Sequence, residues 1–114
     1  MRTFKVLFHM NKQVKVGVVL ANISHLITDI GLENLEIQMA TNGDAVKVLV
    51  RSSSEFGPLL KDLAEKQVEF SACANAMRNL GIHRNELLDF VTVDSSGGSE
   101  IVKKQAAGWS YICP

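Results

Sequence analysis

Apolar residues recur along this chain at two different spacings. Phe4 to Met10 (FKVLFHM) is a short apolar run rich in β-forming side chains, and Asn11-Lys12-Gln13 breaks it, which predicts a first strand. The next segment opens with β-branched Val14, Val16, Val18 and Val19, which would also suit a strand. Val16, Val19, Leu20, Ile23, Leu26, Ile27 and Ile30 nevertheless return at helical intervals with Asn22, His25 and Asp29 opposite, so the spacing predicts a helix over 14–30. Gly31 stands where a left-handed cap belongs. Leu35 to Ala40 alternates as a second strand, and Thr41-Asn42-Gly43-Asp44 turns the chain into a short apolar helix, Ala45 to Val50. Ser52, Ser53 and Ser54 form a polar break. Pro58 then suits a first helical position, with Leu59, Leu60, Leu63 and Ala64 on one face and Lys61, Asp62, Glu65 and Lys66 on the other.

Val68 to Ala72 reads as a third strand running directly into a helix, Cys73 to Leu80, that ends at Gly81. Asn85 to Leu88 adds a helical turn before a fourth strand, Phe90 to Val93. Ser95-Ser96-Gly97-Gly98-Ser99 is read as a tight loop opening a helix, Glu100 to Ala107, and Trp109 to Cys113 closes as a fifth strand. This βαβαβαβαβ alternation predicts a single α/β domain over 1–114: three layers, α/β/α, around a mostly parallel five-stranded sheet. Right-handed crossovers in the common doubly wound order would set the first and third strands side by side at the switch point.

Composition changes this picture in a few respects. A chain of 114 residues buries roughly two-thirds of its unfolded surface, so folding makes no demand on its two cysteines. Twelve Lys and Arg balance twelve Asp and Glu, without a run of like charge, which removes the electrostatic footprint of a nucleic-acid binder and weakly favours self-association. Met1-Arg2-Thr3 leads into an apolar stretch too short for a signal sequence, no segment reads as a membrane span, and two cysteines without C-x-x-C spacing fit a reducing, cytoplasmic setting.

Open parallel sheets bind ligands beyond the carboxyl ends of their strands, where this chain places His9, Asn42-Gly43-Asp44, Cys73 and the Ser95 to Ser99 loop. Cys73 falls in the first turn of a helix, where unpaired amides favour the nucleophilic thiolate, among the small neighbours Ala72, Ala74 and Ala76. The same residue is equally read as a small buried hydrophobe. Asn75 offers a polar contact to the sulfur. His9 would approach Cys73 as base or cation if the first and third strands are neighbours, although a histidine at a strand end more often has a structural role. Asn42-Gly43-Asp44 reads first as a turn, with Asp44 able to cap the helix it precedes. The serine-glycine loop lacks the lysine and spacing of a P-loop, and capping explains it as well as anion binding does. His25 and His83 show no metal-ligand spacing, so neither a metal nor an organic cofactor is expected, and Cys113 reads as filler.

Several α/β chemistries fail on particular residues. A phospho-receiver needs acidic residues where His9-Met10-Asn11 and Cys73 stand, and a flavin site needs a Ser/Thr-rich loop that His9 to Gln13 does not supply. A cysteine phosphatase would need five residues between cysteine and arginine, whereas Cys73 and Arg78 enclose four, and a helix would turn Arg78 away. Four is the spacing of rhodanese-type loops, but the glycine expected there is missing.

The opening KVLFHM, the ATNGDAVKVL turn, the EFSACANAMRNLGI segment and the closing SGGSEIVKKQAAGWSYICP together resemble the DsrE/DsrF-like family over nearly the whole chain. The strand followed by Ala-Cys-Ala-Asn and Leu-Gly-Ile is the most specific part. The resemblance implies a small α/β protein that assembles as a homo-oligomer, commonly a trimer or hexamer, and carries sulfane sulfur as a persulfide on Cys73 between a donor protein and an acceptor thiol. In that role Asn75 and His9 would stabilise the sulfur anion. The alternatives are a non-catalytic oligomeric or small-ligand-binding module in which Cys73 only packs, and, last, a cysteine-based phosphatase.

Overall fold

A computed structural model describes residues 4–114, the side chains of Ser53 and Ser54 apart; the lead-in Met1-Arg2-Thr3 lies outside the described residues. Five parallel strands, β1 (Phe4–Met10), β2 (Leu35–Thr41), β3 (Glu69–Cys73), β4 (Val91–Asp94) and β5 (Ser110–Ile112), form one sheet in the order β4-β3-β2-β1-β5. Helices α1 (Val16–Ile30), α2 (Gly57–Glu65), α3 (Ala74–Leu80) and α4 (Gly97–Ala106) connect them, so the α/β/α class read from the alternation is the observed one.

The expected neighbourhood of the first and third strands is not observed: β2 lies between them. Each of the first three crossovers steps one place in the same direction, and only the last returns to pair β5 with β1. Burial explains the arrangement. Six of the seven residues of β2 are buried, which suits a central strand, while all three residues of β5 are exposed, which suits an edge.

Right-handed connections then put α1, α2 and α3 on one face and α4 alone on the other. The first face holds the main core, where Val6, Phe8, Met10, Ile37, Met39 and Phe70 of the strands meet Val19, Leu20 and Ile23 of α1, Leu60 and Leu63 of α2, and Met77 of α3. The second face packs Leu7, Ala40 and Trp109 against Ile101 of α4. Among the described residues no helix is long and apolar enough to cross a membrane.

Boundaries shift where short-range chemistry overrides periodicity. The 14–30 helix begins as a 3₁₀ turn, Gln13–Lys15, and Gly31 ends it at φ 98°, ψ 132°, a positive φ suited to glycine but outside the left-handed helical region. Gly81 does adopt the left-handed cap, at φ 69° and ψ 27°. The apolar run after the Asn-Gly-Asp turn is a 3₁₀ helix, Gly43–Leu49, and the serine break is another, Arg51–Phe56. The two glycines read as loop are the first turn of α4, because the Ser96 Oγ accepts a hydrogen bond from the Ser99 N–H at 3.0 Å.

Candidate functional site

Cys73 is the last residue of β3 and the cap residue of α3, with an extended backbone (φ −77°, ψ 121°) and a free thiol that is only 5% exposed. The sulfur therefore sits one residue before the helix, not within its first turn, and α3 is a single short helix of seven residues. A pocket of about 310 Å³ opens at this point, lined by Asn42, Gly43, Asp44, Cys73, Ala76, Asn79 and Leu80. The small Ala72 and Ala76 beside the cysteine are both buried and leave the space.

The wall facing Cys73 is the turn after β2. Gly43 holds φ 58°, and a Cβ there would lie 2.7 Å from the Asn11 carbonyl oxygen, so the turn closes against the β1–α1 loop only with glycine. Asn42 N–H donates to the Met10 carbonyl at 3.1 Å. Asp44 falls inside the 3₁₀ helix Gly43–Leu49, so it does not cap it; its Oδ1 accepts from the Gln13 N–H at 2.9 Å, tying the same two loops together.

His9 is the penultimate residue of β1, two strands from Cys73, roughly 10 Å across the sheet. It does not line the Cys73 pocket; its Nε2 meets Asn42 Oδ1 at 3.0 Å and its Nδ1 meets the Tyr111 hydroxyl at 2.7 Å. Asn75 is exposed on α3, and its Oδ1 accepts from the Arg78 guanidinium. Neither sequence-predicted partner of the sulfur lines its pocket: His9 stands behind Asn42, Asn75 pairs with Arg78, and Asn42, read only as part of a turn, takes the place beside Cys73. The arginine is occupied on the surface of α3, as helical geometry requires.

Two further residues belong to this end of the sheet. Asp94 ends β4 in register with Cys73. Both its carboxyl oxygens are shielded from solvent without a hydrogen-bond partner among the described residues. Burial raises its pKa above the ordinary carboxylate value, Glu100 adds to the rise, and Glu69 adds further; the nearby Ser71 hydroxyl and Lys103 offset this only in part. Ser71 is itself fixed by the Gln38 side-chain N–H at 3.0 Å. Tyr111, on β5, has its pKa raised by burial and by the adjacent Cys113 thiol. A strand-end aspartate and an edge tyrosine carry no local pattern that singles them out, and both acquire neighbours only through strand order. Cys113 is exposed, and three strand spacings separate β5 from β3, roughly 14 Å, well beyond disulfide reach of Cys73. Among the described residues no group of three or more His, Cys, Asp or Glu side chains is placed to share a metal ion.

A parallel α/β domain with a free cysteine at a strand-to-helix junction, facing the polar turn of the neighbouring strand, is the class of protein that this geometry defines. The chain belongs to the DsrE/DsrF-like family, whose sequence pattern it matches over residues 4–114. It is similar to MTH1491 from Methanobacterium thermoautotrophicum, a protein of unknown function, with 34% identity, a TM-score of 0.90, and coverage of 97% of this chain and 99% of that one. The ychN protein from E. coli shares the fold at 16% identity and a TM-score of 0.79, with both chains covered completely. BT1422 from Bacteroides thetaiotaomicron does so at 15% identity and 0.74, covering 96% and 94% of the two chains. None of the curated proteins is similar enough in sequence to count as a relative.

Proposed function

We propose that this protein is a sulfur carrier that accepts sulfane sulfur on Cys73 and passes it to a partner thiol. The observation that carries the reading is the free Cys73 thiol lining a pocket at the carboxyl end of β3, in a member of a family associated with sulfur relay. In the first step the Cys73 thiolate attacks the outer sulfur of a donor persulfide, R–S–SH; the donor S–S bond breaks, R–S⁻ departs with its electron pair, and Cys73–S–SH remains. In the second, an acceptor thiolate attacks the outer sulfur of Cys73–S–SH and releases the Cys73 thiolate. Sulfur transfer without hydrolysis needs no metal or organic cofactor.

Intact mass after incubation with a persulfide donor tests the reading. One added sulfur atom is expected on the wild type and on Cys113→Ala, and none on Cys73→Ala; an adduct that survives Cys73→Ala overturns the assignment.

The near-complete burial of Cys73 favours a second reading, a non-catalytic binding or assembly module in which the sulfur only packs. That reading expects Cys73 to react with iodoacetamide far more slowly than exposed Cys113, whereas a carrier whose pocket admits small molecules expects Cys73 to react readily. A homo-oligomer, a trimer or hexamer, completes the proposal. Its support is the apolar surface left at Val14 (84% exposed), Val18, Val102, Phe4, Tyr111 and Ile112 together with the unpaired edge of β5. Donor and acceptor proteins in a reducing cytoplasm complete the picture, and light scattering of the purified protein measures its assembly.

A further inference from the structure

We infer that Asn42 is the hydrogen-bond donor that receives the sulfur carried on Cys73, held in that role by His9, Tyr111 and the bare surface of Gly97; the inference rests on the carrier reading of Cys73.

Asn42 lines the Cys73 pocket, and its carboxamide is fixed on two sides. Its oxygen lies 3.0 Å from His9 Nε2. An amide oxygen only accepts, so this contact places a proton on Nε2, and in the neutral imidazole Nδ1 then accepts the Tyr111 hydroxyl proton at 2.7 Å. With Oδ1 committed to the imidazole, the amide nitrogen and its two N–H groups are the part of Asn42 left for the pocket. Gly97 secures the other side. It has no positive φ that would demand glycine, yet a Cβ there would lie 2.9 Å from Asn42 Nδ2 and 3.1 Å from Asn42 Cβ. The absent side chain is what lets the amide lie where it does.

The chemistry of the transfer gives such a donor a role. Once the donor persulfide bond has broken and the outer sulfur is joined to Cys73, loss of its proton to solvent leaves Cys73–S–S⁻, an anion in a pocket that stays open to solvent on one side. The remaining walls do not serve it well. Ala76 and Leu80 are apolar, Asn79 lies on the exposed surface of α3, and Asp44 is acidic, with one oxygen already accepting from Gln13. Asn42, half-buried directly after β2, is therefore the donor on the strand side of the pocket, which suits an anionic sulfur species. His9 and Tyr111 are positioning residues that act through it.

The test loads wild-type protein and variants with cysteine persulfide at neutral pH and follows the gain and persistence of one sulfur by intact mass. Asn42→Ala is expected to lower loading by about tenfold or more, the value of a hydrogen bond to a charged group. Asn42→Asp is expected to lower it further by setting a like charge beside the anion. Gly97→Ala should act in the same direction by displacing the amide, while Gly98→Ala, whose Cβ would meet nothing within 4 Å, should load as wild type. Tyr111→Phe should fall between wild type and Asn42→Ala.

A second readout separates this role from packing: the ratio of Cys73 modification by anionic iodoacetate to that by neutral iodoacetamide should drop in Asn42→Asp and stay unchanged at Cys113. Asn42 variants that load at the wild-type rate, or that slow both reagents equally, overturn the inference while leaving the carrier reading intact. A wild type that takes up no sulfur overturns both. Should Asn42→Ala not fold, the comparison of Gly97→Ala with Gly98→Ala decides the matter alone.

Discussion

Asp94 ends β4 beside Cys73 with both carboxyl oxygens buried and unpartnered among the described residues, and burial with Glu100 and Glu69 nearby raises its pKa. Just above the ordinary carboxylate value, near ~3.9, the folded chain therefore keeps a proton that the unfolded chain releases. Stability contributed by this group is present at low pH, is lost as pH climbs through the raised folded value, and is level above it. Asp94→Asn removes that loss and is expected to flatten the pH dependence and to stabilise the protein at neutral pH relative to wild type. Urea unfolding across a pH series checks it, and a variant as pH-dependent as wild type would contradict it. Gly43 makes the opposite case. With φ 58° and the Asn11 carbonyl 2.7 Å from a would-be Cβ, Gly43→Ala should destabilise by about 1–3 kcal/mol, visible as a lowered Tm. At this scale the chain was only partly legible. The Asn-Gly-Asp turn could be read from its residue types, but the contact of Asn42 with His9 could not, because it depends on which strand lies beside β1.

Among elements, α1 was readable from its seven apolar positions, since the periodicity that predicts the helix also buries Val19, Leu20 and Ile23 in the main core. Strand order was not readable, because each strand's pattern is local and a generic order placed β1 beside β3 where β2 stands. Helix α4 shows the consequence of the true order. As the only helix on its face among the described residues, it rests on Leu7, Ala40 and Trp109, with the Lys104 ammonium 4.3 Å from the centre of the Trp109 ring. So small a contact should make α4 open more readily than the core helices, and amide exchange should be faster there than in α1. Its start depends on one cap: Ser96→Ala, which removes the acceptor for the Ser99 N–H, is expected to cost about 1 kcal/mol by urea unfolding.

Over the whole molecule, strand order decides what the two cysteines can do. Cys73 lines a pocket in the half of the sheet built by β2, β3 and β4, while Cys113 is exposed beyond the β5 edge, too far for the two to join within one chain. The central claim is that sulfur enters and leaves at Cys73 alone. Site-resolved mass spectrometry of the persulfide-loaded protein, with free thiols blocked and the chain digested, tests it most directly. The account predicts the extra sulfur on the peptide that carries Cys73, with Cys113 recovered as an ordinary blocked thiol. Extra sulfur on Cys113, or on neither cysteine, would contradict it.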